Sequence, residues 1–287
     1  MRTKQQWPQS RPTRRARTLT ATVLSACMLA TSVSACGTSG DGDSTSTLVV
    51  GSDLTAPPYS SLKDGKPVGF DPEMATRLAE TMGRKVSIKD TRFEQLIPSL
   101  KAGQINLIAS DLYITKERSA TVDYIPYFST GNSIVVGADD TPITDAMGLC
   151  GRKVAVIQGG AIVKSLRSDA SAKCTRAGKH EIELREFSKD PEGAQAVVAG
   201  QVDALVTDAA ICAEISKAFN GKVVVSSHDL LYPVPVGLAV KKGNDTLRKA
   251  VVEALDKLKK SGEYAKLLHE YNLRPVDEQR VASILGR

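Results

Sequence analysis

From residue 47 onward, short apolar runs alternate with longer stretches whose apolar positions recur every three to four residues, so strands and helices should follow one another in turn. Strands are predicted at 47–51, 86–89, 106–109, 133–136, 153–157, 182–186, 203–206, 222–225 and 236–241. Helices are predicted at 71–82, 94–101, 161–172, 191–199, 209–219, 245–260 and 263–271. Asp71-Pro72 offers an N-cap followed by the favoured first-turn proline, and Gly103 stops the helix that begins at Glu94. The segment 124–127 reads as a loop. Such alternation defines an α/β architecture of mainly parallel sheets with helices on both faces. Two lobes are expected, the first from 47–137 and 236–287 and the second from 143–231. Crossovers near 138–142 and at 232–235 (Tyr232-Pro233-Val234-Pro235) would make a hinge above a cleft.

Charge changes the picture only at the amino end. A formal net charge of +6 invites a nucleic-acid reading, but residues 1–35 hold Arg2, Lys4, Arg11, Arg14, Arg15 and Arg17 and no acidic residue. Without those six of the 38 basic residues, the chain balances its 32 acidic ones, and no nucleic-acid partner is expected. A basic leader followed by the apolar run 19–33, too short to span a bilayer, reads as a secretory signal peptide over 1–35. Its end, Val33-Ser34-Ala35-Cys36, resembles the lipobox of bacterial lipoproteins, which implies a lipid on Cys36 and an extracytoplasmic protein anchored to the cell membrane. Arg14-Arg15 leaves a twin-arginine export signal open. Residues 36–46 are too polar and too rich in Gly and Ser to pack, and form a flexible tether.

Of the five cysteines, Cys150, Cys174 and Cys212 fall in the folded part. In an oxidising compartment two of these can pair. Cys150 and Cys174 are placed in loops that precede strands of one sheet and are the expected disulfide, whereas Cys212 lies on the apolar face of a helix as a buried free thiol. Metal binding is disfavoured, because there is no CxxC spacing and the three histidines, His180, His228 and His269, are scattered; no cofactor is expected.

Five strings, in order and in register, carry a resemblance over most of the chain after the tether. They are Leu48-Val49-Val50-Gly51-Ser52-Asp53 with Pro58-Tyr59 after it, Val68-Gly69-Phe70-Asp71, Leu96 to Gly103, Ile114-Thr115-Lys116-Glu117-Arg118, and Gly200 to Asp208. The sequence resembles the family 3 extracellular solute-binding proteins, which serve polar amino-acid ABC importers. The resemblance implies a two-lobed type II periplasmic-binding-protein fold, a small-molecule ligand, an ABC permease partner, a monomer and no catalysis.

It also implies a site. Thr115 can cap a short helix so that Arg118 projects as a bidentate carboxylate clamp, a role Lys would fill poorly. A surface ion pair of Arg118 with Asp123 or Glu117 is the plainer alternative. Gly160 and Ala161 open a helix whose amides would meet the same carboxylate, Asp208 would meet the ligand ammonium, and Asp53 would share or support that role; helix capping is the alternative for both aspartates. Three departures stand out. Ala56 occurs where relatives carry a stacking aromatic, leaving Tyr59 and Phe93 to form an apolar face, and Asp111 and Tyr113 follow the retained Ser110 at ligand-facing positions.

Counting Asp53, Asp111 and Asp208 against Arg118 makes the pocket anionic and favours a basic amino acid or related amine. If Asp53 instead caps a helix and Asp111 faces solvent or a Lys, a neutral ligand such as glutamine fits equally well. An enzyme resembling the periplasmic cyclohexadienyl dehydratases, with Asp111 as acid or base, is the alternative from another class.

Overall fold

The computed structural model describes residues 47–286; the segments read from sequence as a signal peptide and a tether, Cys36 among them, lie outside the described residues. The chain begins with β1 (Leu48–Ser52), whose alternate residues are apolar and buried. A small antiparallel sheet of β2 (Thr55–Ala56), β3 (Ser60–Lys63) and β4 (Lys66–Val68) follows, which the sequence pattern did not predict because its strands are too short to show a period. Helix α1 (Phe70–Thr81) buries Phe70, Met74, Ala75, Leu78 and Ala79. Next come β5 (Val86–Asp90), α2 (Leu96–Lys101) and β6 (Leu107–Ile108). β1 pairs in parallel with both β5 and β6.

The strand β7 (Val122–Gly137) organises the molecule. It includes the segment 124–127 that reads as a loop in the sequence. Pro126 misled that reading, since proline lacks the N–H a ladder needs. Here Pro126 sits beside a register shift: Val236 pairs with Phe128 and Gly237 with Pro126, so Tyr127 is the extra, bulged residue. Beyond β7 lie β8 (Lys153–Ile157), α3 (Ala161–Lys164), a π-helical stretch Ser165–Ala170, α4 (Ser171–Arg176), β9 (Glu183–Phe187), α5 (Asp190–Val198), β10 (Ala204–Asp208), α6 (Ala209–Ala218) and β11 (Val223–Val225). The long strand β12 (Leu231–Lys241) returns, and α7 (Asp245–Ser261), α8 (Glu263–Glu270) and α9 (Glu278–Leu285) end the fold.

The main sheet runs β5-β1-β6-β12-β7-β10-β8-β9, with β11 added beside β7. Two strands therefore bridge two parallel blocks. Val122 to Phe128 of β7 pairs with Val236 to Lys241 of β12 on the side of β1, β5 and β6, while Asn132 to Val135 pairs with β10 on the side of β8 and β9. Residues 138–142 follow β7, after its pairing with β10 and β11. One buried cluster runs through both blocks, joining Leu48, Val50 and Met74 to Ala155, Leu205 and Ile211, and each block adds one of its own: Leu96, Leu100, Ile105, Ile108 and Ile114 among others on one side, and Val154, Val156, Ile162, Leu166 and Val206 on the other.

Cys150 and Cys174 form a disulfide with Cα atoms 5.5 Å apart. Cys174 is not in a loop as read from sequence; the helix begun at Ala161 runs on through its π-helical stretch to Arg176 and carries the cysteine on its buried face. Cys212 is a buried free thiol on α6, 3.5 Å from the Ser133 carbonyl oxygen.

Candidate functional site

A narrow cleft opens between the two blocks, at the carboxyl ends of β1, β6, β8 and β10 where open α/β sheets place ligands. Strand order puts it there: the chain leaves each parallel strand at the same edge, so Asp53, Ser110, Gly160 and Asp208 converge although they are far apart in sequence.

Asp53 follows β1 and is almost wholly buried. Its carboxylate accepts hydrogen bonds from Thr55 N (3.1 Å), Thr55 Oγ1 (2.7 Å) and Phe93 N (2.9 Å), and Arg92 lies 2.7 Å away. Burial pushes its pKa up, and Thr55, Arg92 and Phe93 pull against that shift. The Asp53 charge is thus matched inside the protein, contrary to a charge count that leaves it for the ligand. Arg92, whose place next to Asp53 across two strands no local pattern reveals, is the residue that count missed.

Asp71, fully buried at the start of α1, accepts hydrogen bonds from the Tyr127 hydroxyl and, at 3.0 Å, from Asp111 N. Burial raises its pKa to about 7. The bulge in β7 turns Tyr127 toward Asp71, and Asp71 in turn holds the Asp111 backbone in the left-handed region (φ 44°). Asp111 then lines the cleft with 8% exposure, and its Oδ1 has no hydrogen-bond partner.

Arg118 is capped as expected, its N–H donating to Thr115 Oγ1 at 3.1 Å. Its guanidinium donates to the carbonyl oxygens of Tyr113 (3.0 Å) and Gly159 (2.8 Å) and lies 5.5 Å from the Phe93 ring centroid. It pairs with neither carboxylate considered from sequence: Glu117 binds Lys164 at 3.1 Å and Asp123 binds Lys242 at 2.7 Å. The Arg118–Gly159 bond joins the two sides of the cleft. Gly159 (φ 75°) is needed there, because a Cβ would sit 3.2 Å from Glu94 Cβ in a backbone conformation that L side chains rarely adopt.

Asp208 closes β10 and caps α6 by accepting from Ala210 N at 2.8 Å. It also accepts from the hydroxyls of Tyr59 (2.9 Å), Tyr113 (2.9 Å) and Thr130 (2.7 Å), so each carboxylate oxygen receives two hydrogen bonds. Burial raises its pKa, and these donors oppose the shift. Tyr113 faces the cleft and also accepts from Asn132 Nδ2 at 3.2 Å. Tyr59, expected as an apolar wall, is instead wholly buried behind Asp208 and stacked on Phe128.

Phe93, Ser110, Gly160 and Ala161 line the cleft with Ala56, and the Ser110 hydroxyl accepts from Asp53 N at 2.9 Å. The Gly160 amide donates to Ile157 O at 3.1 Å. Asp190 was not foreseen. It starts α5 next to Pro191 and lines the cleft at 5% exposure, with Oδ1 unpartnered and its pKa raised to about 7, chiefly by burial. An Asp before a Pro at a helix start reads as a cap, which hid it; the observed N-cap is Lys189.

The arrangement is a two-sided cleft under two bridging strands, walled by buried polar groups: the architecture of a two-lobed periplasmic amino-acid-binding protein. Residues 48–274 match the family described as bacterial extracellular solute-binding proteins, family 3, and the chain belongs to that family. It is 30% identical to the L-cystine-binding protein TcyJ of Escherichia coli (strain K12) over 75% of this chain and 79% of the relative. It is 29% identical to the L-arginine-binding protein of Pseudomonas aeruginosa over 77% and 86% of the two chains. Among solved structures, an ancestral arginine-binding protein bound to arginine superposes with a TM-score of 0.70 at 33% identity, covering 78% of this chain and 97% of the other.

Proposed function

We propose that this protein is the extracytoplasmic receptor of an ABC importer for an amino acid with a cationic side chain, or a closely related amine. The observation that carries the reading is the charge of the cleft: Asp53, Asp111, Asp190 and Asp208 line it, against Arg118. Pairing of Asp53 with Arg92 still leaves an excess of buried carboxyl groups, and desolvation of an unpaired carboxylate is costly enough to raise its pKa. A cationic ligand removes that cost. An acidic one adds to it. The arginine-binding relatives support the same reading.

In this proposal Arg118, with the Ala161 amide opposite, meets the ligand carboxylate, while the Gly160 amide is already given to Ile157 O, and Phe93 supplies the apolar wall that Ala56 does not. The lobes are the blocks on either side of β7 and β12, and the hinge lies within those two strands, near Ser129 to Asn132 and 232–235, rather than at 138–142. The protein acts as a monomeric receptor without catalysis, is held at the membrane through Cys36, and presents its closed form to the permease. Calorimetric titration with arginine, lysine, ornithine, glutamine and glutamate tests the ligand class. Binding of at least one basic amino acid ahead of glutamine and glutamate is expected; tight glutamate binding with no response to the basic amino acids overturns it.

A further inference from the structure

The buried carboxyl groups of the cleft are not equivalent. Asp208 receives four hydrogen bonds, two on each oxygen, from Tyr59, Ala210, Tyr113 and Thr130. A carboxylate offers about four acceptor positions, so Asp208 has little capacity left for a ligand nitrogen. Asp53 is spent on Arg92, Thr55 and the Phe93 amide. Asp71 is committed to Tyr127 and the Asp111 amide and is not on the cleft wall. That leaves Asp111 and Asp190. Each is more than nine-tenths buried, each lines the cleft, and each has an Oδ1 with no hydrogen-bond partner. They face the space from opposite sides: Asp111 follows β6 and Asp190 begins α5, which packs on β8 and β10.

Resting on the reading of the cleft as a receptor for a cationic amino acid, we propose that Asp111 and Asp190 together form the seat for the ligand's cationic side-chain group, a guanidinium or ammonium gripped by one carboxylate from each side, and that Asp208 is a positioning residue. A cation with several N–H donors can satisfy both free oxygens at once, and its charge offsets a repulsion that neither aspartate can relieve alone. Burial, followed by the neighbouring Asp208, Asp71 and Asp190, raises the Asp111 pKa well above the usual carboxylate range, as expected of a site complete only with a cation in it. The seat also gives lobe closure a driving contact, because the two carboxylates can share one cation only when the lobes are together. Asp208 serves closure differently: it gathers Tyr59 and Tyr113 from one side onto the end of β10 from the other.

The test is titration calorimetry on the wild type and on Asp111→Asn and Asp190→Asn, with arginine, lysine, citrulline and glutamine. Asparagine retains the size of the side chain and tolerates the left-handed backbone at Asp111. The wild type is expected to bind a basic amino acid, and each variant to bind it ~10- to 100-fold more weakly, the loss associated with one charge-assisted hydrogen bond. Citrulline, which has the shape of arginine without its charge, should lose a similar factor on the wild type, a measurement that depends on no variant folding. If the wild type binds arginine or lysine but both variants bind it unchanged, the seat is overturned while the receptor reading stands. If the wild type binds glutamine or citrulline as tightly as arginine, the receptor reading falls and the seat with it.

Discussion

Replacing Asp190 by Asn should make the ligand-free protein more stable at neutral and alkaline pH while impairing it as a receptor. The Asp190 carboxyl has its pKa raised from 3.8 to about 7, with burial the first cause and Asp53 and Asp208 adding to it. Between those values the folded state holds a proton that the unfolded state has released. By linkage, its contribution to stability falls as pH rises through that window and is lowest above pH 7. At 1.36 kcal/mol per unit, ionising this one group in the folded protein costs on the order of 4 kcal/mol, and about 2 to 4 kcal/mol once the charges it shares the cleft with readjust. Asparagine does not ionise and retains an oxygen for the hydrogen bond that Asp190 makes with the Thr207 side chain. The variant should therefore match the wild type near pH 4 and exceed it by about 2 to 4 kcal/mol near pH 8, roughly 5 to 15 °C in melting temperature for a chain of this size. Urea denaturation and thermal melts without ligand at pH 4, 6 and 8 measure this. A difference that is flat across pH, or destabilisation at every pH, would show that Asp190 is hydrated or purely structural and would refute the reasoning. The physical content is a trade: a binding site that keeps carboxylates buried and unpaired is less stable until its cation arrives.

Other outcomes can be checked directly. Removing the disulfide with Cys150→Ala and Cys174→Ala together should cost roughly 3 kcal/mol, since it closes a loop spanning 24 residues, and denaturant midpoints read that loss; an unchanged midpoint speaks against any stabilising role. Cys36→Ser should shift the protein from the membrane fraction to the soluble fraction, and mass spectrometry of the native amino terminus should find a lipidated cysteine there. Small-angle scattering should show contraction when arginine, or whichever basic amino acid titrates, is added, and a tightly bound ligand with no change in radius of gyration would argue against hinge closure in β7 and β12.

Much of the fold was legible because it rests on local pattern. The strand at Lys153–Ile157 has the composition of a strand buried on both faces, and Cys212 on the apolar face of its helix announced its burial; the place of α1 was legible too, but its N-cap is Gly69 and not Asp71, which lies inside the first turn and binds Tyr127 and the Asp111 amide instead. The strings of the family placed Asp53, Arg118 and Asp208 at one site, with Ser110 retained just ahead of the fourth string, and the structure brings all four to one cleft. Tertiary structure alone decided which charges are already answered. Arg92 reaches Asp53, three hydroxyls from separate segments converge on Asp208, and Tyr59 turns into the core because Phe128 stacks on it. None of these follows from spacing, because each partner arrives from a segment distant in sequence. Asp190 remained hidden for the same reason. A buried carboxyl with no partner is defined by what surrounds it in space, and along the chain it resembles any aspartate before a proline.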